Sequence, residues 1–181
     1  MMTTTVPLLD SALEYASLGW RVHPLWPAMK EPFTKNGFKD ATTDPDAIRL
    51  WWERNPDLNI GIATDGNSFF VLDIDGPEGK AGLAGLEARF GKLPETLMAE
   101  TGHGFHYVFR YSGAEALGNT AGRKGKRLGA GIDTRGTGGY IVAPPSVHPD
   151  GGTYRWLNWG TPLAVLPEWV VKKLKESEIA W

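Results

Sequence analysis

The feature that most constrains this chain is the stretch Phe69-Phe70-Val71-Leu72-Asp73-Ile74-Asp75-Gly76. An apolar, strand-forming run carries two carboxylates two positions apart and then stops at a glycine. In a strand, residues i and i+2 share a face. Asp73 and Asp75 are therefore expected to point the same way, at the end of a strand greasy enough at its start to be buried. Neighbouring like charges repel, and burying them unpaired is costly. A divalent cation removes both objections, and Mg²⁺ or Mn²⁺ suits one or two carboxylates together with phosphate oxygens. The alternative is a strand ending in a surface turn, since Asp-Gly is also turn chemistry. Both readings stay open on this stretch alone.

The remaining chain sets the bounds. Its 181 residues predict a single domain over 1–181, long enough for a sizeable core. The formal net charge of -2 excludes a polycation, so any nucleic-acid contact must come from a local basic patch. The absence of cysteine excludes disulfides, thiolate zinc sites and a cysteine nucleophile. No apolar run reaches the length of a membrane span. The amino terminus has neither the basic start nor the long apolar core of a secretory signal, so the expected compartment is the cytoplasm.

Periodicity and breakers predict a mixed α/β order. Apolar spacing from Leu9 to Leu18 reads as a helix stopped by Gly19. Trp20–Leu25 reads as a strand, and residues 27–43 as an irregular loop with Lys30, Lys35 and Lys39. Asp44 and Pro45 start a second helix that runs to Arg54. Asn59–Ala63 and Ser68–Ile74 read as strands, and the short Asp65-Gly66-Asn67 turn predicts that they pair as an antiparallel hairpin. A third helix is expected from Gly79 or Lys80 to Phe90, and strands over Leu97–Thr101 and Phe105–Tyr111. Residues 112–130 read as a mobile basic loop centred on Arg123-Lys124-Gly125-Lys126-Arg127. Strands follow at Ile132–Arg135, Gly139–Ala143 and Tyr154–Trp156, then a terminal helix over Pro167–Lys175.

Several side chains could carry chemistry. If Phe105, Tyr107 and Phe109 face one side of their strand, His106, Val108 and Arg110 face the other. A lone strand histidine is usually packed or superficial, but the Thr101-Gly102-His103-Gly104 turn before it offers backbone donors suited to phosphate. Asp133 follows small and apolar residues; by itself it reads as a turn with a local ion pair. Arg135 is the stronger lead, because a guanidinium matches phosphate oxygens bidentately. Ser146 and His148 fit a rigid loop at least as well as a substrate contact. Trp51 and Trp52 read as helix packing, and Trp156 and Trp159 as possible stacking surfaces. Three carboxylates at strand ends, a histidine, an arginine and a basic loop together fit phosphoryl chemistry on a nucleotide, by a polymerase or a nuclease.

In their order these motifs resemble the bifunctional primase-polymerase (Prim-Pol) domains of the archaeo-eukaryotic primase superfamily, found in replication proteins of plasmids, phages and other mobile elements. The resemblance runs from Ala12 to Leu174. An apolar residue followed by Asp-x-Asp is similar to Leu72-Asp73-Ile74-Asp75. A small residue, any residue and then His is similar to Gly104-Phe105-His106. An apolar residue followed by Asp is similar to Ile132-Asp133, here continuing through Thr134-Arg135-Gly136 to Pro144-Pro145-Ser146.

The resemblance implies an α/β (α+β) fold in which an RNA-recognition-like mixed sheet carries the acidic site beside a smaller α/β unit. It implies a DNA primase/DNA polymerase that transfers nucleotides to a 3′-hydroxyl. Asp73, Asp75 and Asp133 would hold two Mg²⁺ or Mn²⁺ ions, and His106, Arg135, Lys30 and Gly104 would bind the incoming nucleotide. Gly104 departs from the family pattern, in which serine is common. Arg123, Lys124, Lys126 and Arg127 would follow DNA phosphates. Implied partners are single-stranded or primed DNA template, dNTP or NTP, and a helicase domain or protein if the natural chain continues. A metal-dependent nuclease or phosphoesterase, and a non-catalytic DNA-binding module, are the alternatives.

Overall fold

The computed structural model describes residues 7–65, 68–120 and 128–176. In chain order the elements are α1 (Leu8–Ser17), β1 (Val22–Leu25), α2 (Pro45–Arg54), β2 (Asn59–Thr64), β3 (Phe70–Asp75), α3 (Gly76–Phe90), β4 (Met98–Glu100), β5 (Gly104–Arg110), β6 (Ile132–Arg135), β7 (Gly139–Ala143), β8 (Arg155–Trp156), β9 (Ala164–Val165) and α4 (Glu168–Lys175), with a 3-10 turn over Gly37–Asp40. The fold is α+β. Among the described residues no helix is long and apolar enough to cross a membrane.

The chain divides into two compact units. The first runs to Ala63 and takes in Tyr140–Arg155. Its three-stranded sheet has the order β1-β2-β7. Helix α1 buries Ala12, Tyr15 and Ala16, the apolar stripe its spacing predicts. The Tyr15 hydroxyl donates to the Pro144 carbonyl. Helix α2 starts as expected: Pro45 occupies the first turn, and the Asp44 carboxylate accepts from the Asp46 amide at 3.0 Å. Trp52 is buried and donates its indole N–H to the Leu58 carbonyl at 2.8 Å, so it packs the unit.

The second unit spans Thr64–Gly139 and the chain from Trp156 onward. Its six-stranded sheet has the order β6-β3-β5-β4-β8, with β9 also pairing β5. Phe70, Leu72 and Ile74 all point to one face of β3 and join Leu83 of α3 and Val170 and Leu174 of α4 in one core. Full burial of each such side chain contributes about 1.5–3 kcal/mol. The opposite face of the same strand carries Val71, Asp73 and Asp75. One greasy face therefore anchors β3 while the other presents its acids.

Two sequence expectations fail here. The expected hairpin of the Asn59–Ala63 and Ser68–Ile74 strands does not form. Both edges of β3 are taken by β5 and β6, while β2 pairs within the other sheet. The Asp65 carboxylate accepts from the Phe69 amide at 3.1 Å and from the Ser68 hydroxyl, turning the chain from one sheet towards the next. Helix α3 also begins at Gly76, earlier than Gly79 or Lys80. Gly76 adopts a φ of +66°, which suits glycine, and its amide donates to the His103 carbonyl at 3.0 Å.

Part of the stretch expected to be a mobile loop is fixed. Residues 117–120 lie along the outer edge of β6. The Thr134 amide donates to the Thr120 hydroxyl at 2.8 Å, the Gly136 amide to the Asn119 side chain at 3.0 Å, and the Thr137 amide to the Leu117 carbonyl at 2.7 Å. This cover protects an edge strand that would otherwise present free backbone groups. The basic segment Arg123–Arg127 lies outside the described residues.

Candidate active site

The site is a row across neighbouring strands. In the antiparallel register Asp73 of β3 stands opposite His106 of β5 on one side and Asp133 of β6 on the other. Directly opposite residues in a sheet project to the same face. Beyond His106 the row continues to Ala99 of β4, a small, fully buried residue. One step toward the core, Val71 and Val108 pair and are fully buried. One step the other way, Asp75 pairs with Gly104. Val71 also stands opposite Arg135 of β6, so the acidic row is flanked on one side by Val108, Val71 and Arg135 and on the other by Asp75 and Gly104.

Contacts within the row centre on Asp73. The His106 Nε2 lies 3.6 Å from one of its carboxylate oxygens, and an Arg135 guanidinium nitrogen lies 3.8 Å from the other. These separations are electrostatic contacts beyond direct hydrogen-bond length. Arg135 follows Asp133 by two residues on β6, so it shares that face. Alternation along β6 buries Ile132 and Thr134 and leaves Asp133 and Arg135 half-buried. The Asp73 side chain is 22% exposed, enough for a ligand to reach it.

Glycines set the close approach of the backbones around Asp75. A Cβ on Gly104 would lie 1.7 Å from the Ile74 carbonyl oxygen. Serine cannot take that position on this backbone, which accounts for the departure noted in the sequence. The Gly104 amide already donates to the Thr101 hydroxyl at 3.0 Å, so Gly104 shapes the turn below His106. On the other side the Asp75 amide donates to the Gly131 carbonyl at 2.7 Å. A Cβ on Gly79 would meet that same Gly131 carbonyl at 2.4 Å. The glycines at 76, 79, 82 and 85 repeat every third residue; Gly79 and Gly82 let α3 lie against the chain entering β6. This repeat was the available signal for residues that sequence reading passed over. Gly136 is likewise required by backbone, since its Cβ would meet the Leu117 carbonyl at 2.1 Å, and not by an approaching substrate.

Other candidates have different placements. Lys30 belongs to the first unit, exposed on the loop after β1, where the Tyr140 hydroxyl donates to its carbonyl at 2.8 Å. The Ser146 hydroxyl accepts the Ile60 amide at 2.8 Å, and the His148 Nδ1 accepts the Asp150 amide at 3.1 Å, so both hold the loop after β7 in shape. Arg110, on the His106 face, donates to the Leu163 carbonyl at 3.3 Å.

The donor set fits a divalent cation. Asp73 and Asp133 bring hard carboxylate oxygens together from adjacent strands, where like charges directly opposite are unfavourable without a counter-charge. Arg135 supplies part of that charge now, and Arg135 and His106 would both suit phosphate oxygens once a cation took the place of Arg135 at Asp73.

The curated proteins hold no match to the chain. A family model described as bifunctional DNA primase/polymerase, N-terminal, matches residues 12–169, which takes in every residue of the row together with Lys30. With most of its length matched, the chain belongs to this family of nucleotidyltransferase-type enzymes, the bifunctional DNA primase/polymerases.

Proposed function

We propose that the chain performs template-directed nucleotidyl transfer, joining an incoming nucleotide to a 3′-hydroxyl with release of pyrophosphate, on single-stranded or primed DNA. The observation that carries this reading is the register of Asp73 between Asp133 and His106, with Arg135 on the same face. Asp73 and Asp133, with Asp75 at the strand end, would hold Mg²⁺ or Mn²⁺. Such ions, when bound, supply positive charge at the attacking hydroxyl and at the triphosphate.

The chain's own groups do the rest. Arg135 binds triphosphate oxygens through its planar fork, and its position two residues after Asp133 fixes where those oxygens sit. His106, buried beside Asp73 in the row, offers Nε2 to the phosphates once the Asp73 carboxylate has taken up the cation. The fully buried pair Val71 and Val108 excludes water from one flank of the site and strengthens its electrostatics. The replication machinery of a mobile element is the setting the reading suits.

The test is incorporation of labelled dNTP on a primed template with Mg²⁺ or Mn²⁺. Metal-dependent extension supports the proposal. Degradation of the DNA without added nucleotide would replace it with a nuclease, and tight DNA binding with no synthesis would leave a non-catalytic module.

A further inference from the structure

The loop between β1 and the 3-10 turn exposes apolar side chains that the fold does not use. Trp26 is 47% exposed and Met29 is 51% exposed. Phe33 packs edge-on against Trp26, with ring centroids 4.7 Å apart. An isolated exposed tryptophan is ordinary. This one stands on a loop held in a single shape. The Trp26 amide donates to the Glu31 carbonyl at 3.0 Å, the Met29 amide to the Trp26 carbonyl at 3.1 Å, and the Phe33 amide to the Pro24 carbonyl at 3.0 Å. From beneath, the buried Asn59 donates to the Met29 carbonyl at 2.9 Å, and the Tyr140 hydroxyl donates to the Lys30 carbonyl at 2.8 Å. Ala28 is held at a φ of +55°, a conformation residues with side chains seldom adopt.

The charge beside this apolar surface has one sign in excess. Lys30, Lys35 and Lys39 are all exposed. The two nearby carboxylates are engaged locally: Glu31 accepts the Lys30 amide at 3.2 Å, and Asp40 accepts the Asn36 amide at 3.1 Å.

We infer that this loop binds single-stranded nucleic acid, with an unpaired base stacked on Trp26, Met29 and Phe33 flanking it, and the lysines on the phosphates. Aromatic platforms interleaved with cations recognise single strands in this way, since every base has a π face and every linkage a charge. A duplex hides its base faces and offers the indole nothing to stack on. A polarizable methionine adapts to whichever base arrives. The single-stranded partner is taken from the proposed function, but the loop's binding needs none of the catalytic row.

The test is fluorescence anisotropy of a labelled oligothymidylate with the full chain, in EDTA and without nucleotide. Trp26→Ala is expected to weaken binding about tenfold, and Trp26→Phe to restore it to within about threefold of wild type. Trp26→Leu, which keeps apolar volume without a π face, is expected to bind as weakly as alanine. Lys30→Ala is expected to lower the slope of log affinity against log salt by about 0.7. Quenching of tryptophan emission on binding is expected to be smaller in Trp26→Phe than in wild type. Binding by Trp26→Ala within about twofold of wild type, or by Trp26→Phe no better than Trp26→Leu, would overturn the inference. Loss of oligonucleotide binding in Trp26→Ala from a chain without primer extension would sink the catalytic reading and leave this one standing. Extension-competent protein with unchanged binding in Trp26→Ala would overturn this one alone.

Discussion

Asp73 and Asp133 face each other across neighbouring antiparallel strands, two carboxylates brought into one row by the β3–β6 register. A cation that binds this pair binds the folded chain alone and must stabilise it. At a hundred times its dissociation constant the gain is about 2.7 kcal/mol. For a chain of this length that raises the melting temperature by about 5–10 °C. Thermal unfolding with Mg²⁺ or Mn²⁺ against EDTA is expected to show the shift in wild type and lose it in Asp73→Asn and Asp133→Asn. An equal shift in all three would place the metal elsewhere.

Arg135 sits 3.8 Å from Asp73 and shares its face with Asp133. Its proposed work is binding the triphosphate, which depends on the fork as much as on the charge. Arg135→Lys is expected to raise KM for dNTP about tenfold, with a smaller change in kcat. Arg135→Ala is expected to lower kcat/KM by about a hundredfold or more, the scale of losing one preorganised electrostatic group. Steady-state extension kinetics read both; a lysine variant with wild-type KM would remove Arg135 from the triphosphate.

Gly104 lets β5 close on β3 at the level of Asp75. Because any Cβ there meets the Ile74 carbonyl, Gly104→Ser is expected to cost about 1–3 kcal/mol of stability, as overpacking does. Urea unfolding measures this. The added hydroxyl is expected to bring no lower KM for nucleotide, because the strand must shift to admit it.

His23 gives the stability a pH dependence. It is fully buried on β1 over Gly61, edge-on to Tyr140, and neither ring nitrogen has a hydrogen-bond partner among the described residues. Burial lowers its pKa from 6.5 to about 4, with Asp40 opposing the shift and Arg21 adding to it. Between pH 6.5 and 4 the unfolded chain takes up a proton that the folded chain refuses. Stability is therefore full above pH 6.5 and falls as the pH drops through that window, by about 3 kcal/mol at most. The Asp40 carboxyl, held below its usual range by the neighbouring Thr34 hydroxyl and by hydrogen bonds from Asn36, adds a loss in the same direction at still lower pH. Denaturant unfolding at pH 7 and pH 5 is expected to show the drop in wild type and a flatter profile in His23→Leu.

How much of this was legible depended on whether the cause was local. The i, i+2 carboxylates and the alternation of Phe105, Tyr107 and Phe109 are set within one strand, and they predicted the faces of β3 and β5. The row itself depends on which strands pair and in what register, a property of distant segments. The turn at Asp65 read as hairpin chemistry because the same residues turn a chain whether or not the flanking strands pair. The reason for the glycines of α3, the Gly131 backbone against Gly79, exists only in the packed structure. Trp26 gave no sign of its exposure, since a tryptophan beside prolines is as often core as surface.

The most direct test of the catalytic account is metal-dependent incorporation of labelled dNTP on a primed template by wild type and by the double variant Asp73→Ala with Asp75→Ala. The account predicts synthesis that needs Mg²⁺ or Mn²⁺ in the wild type and falls to background in the variant, whose fold is checked by its unfolding transition. Synthesis by the double variant at the wild-type level would contradict it.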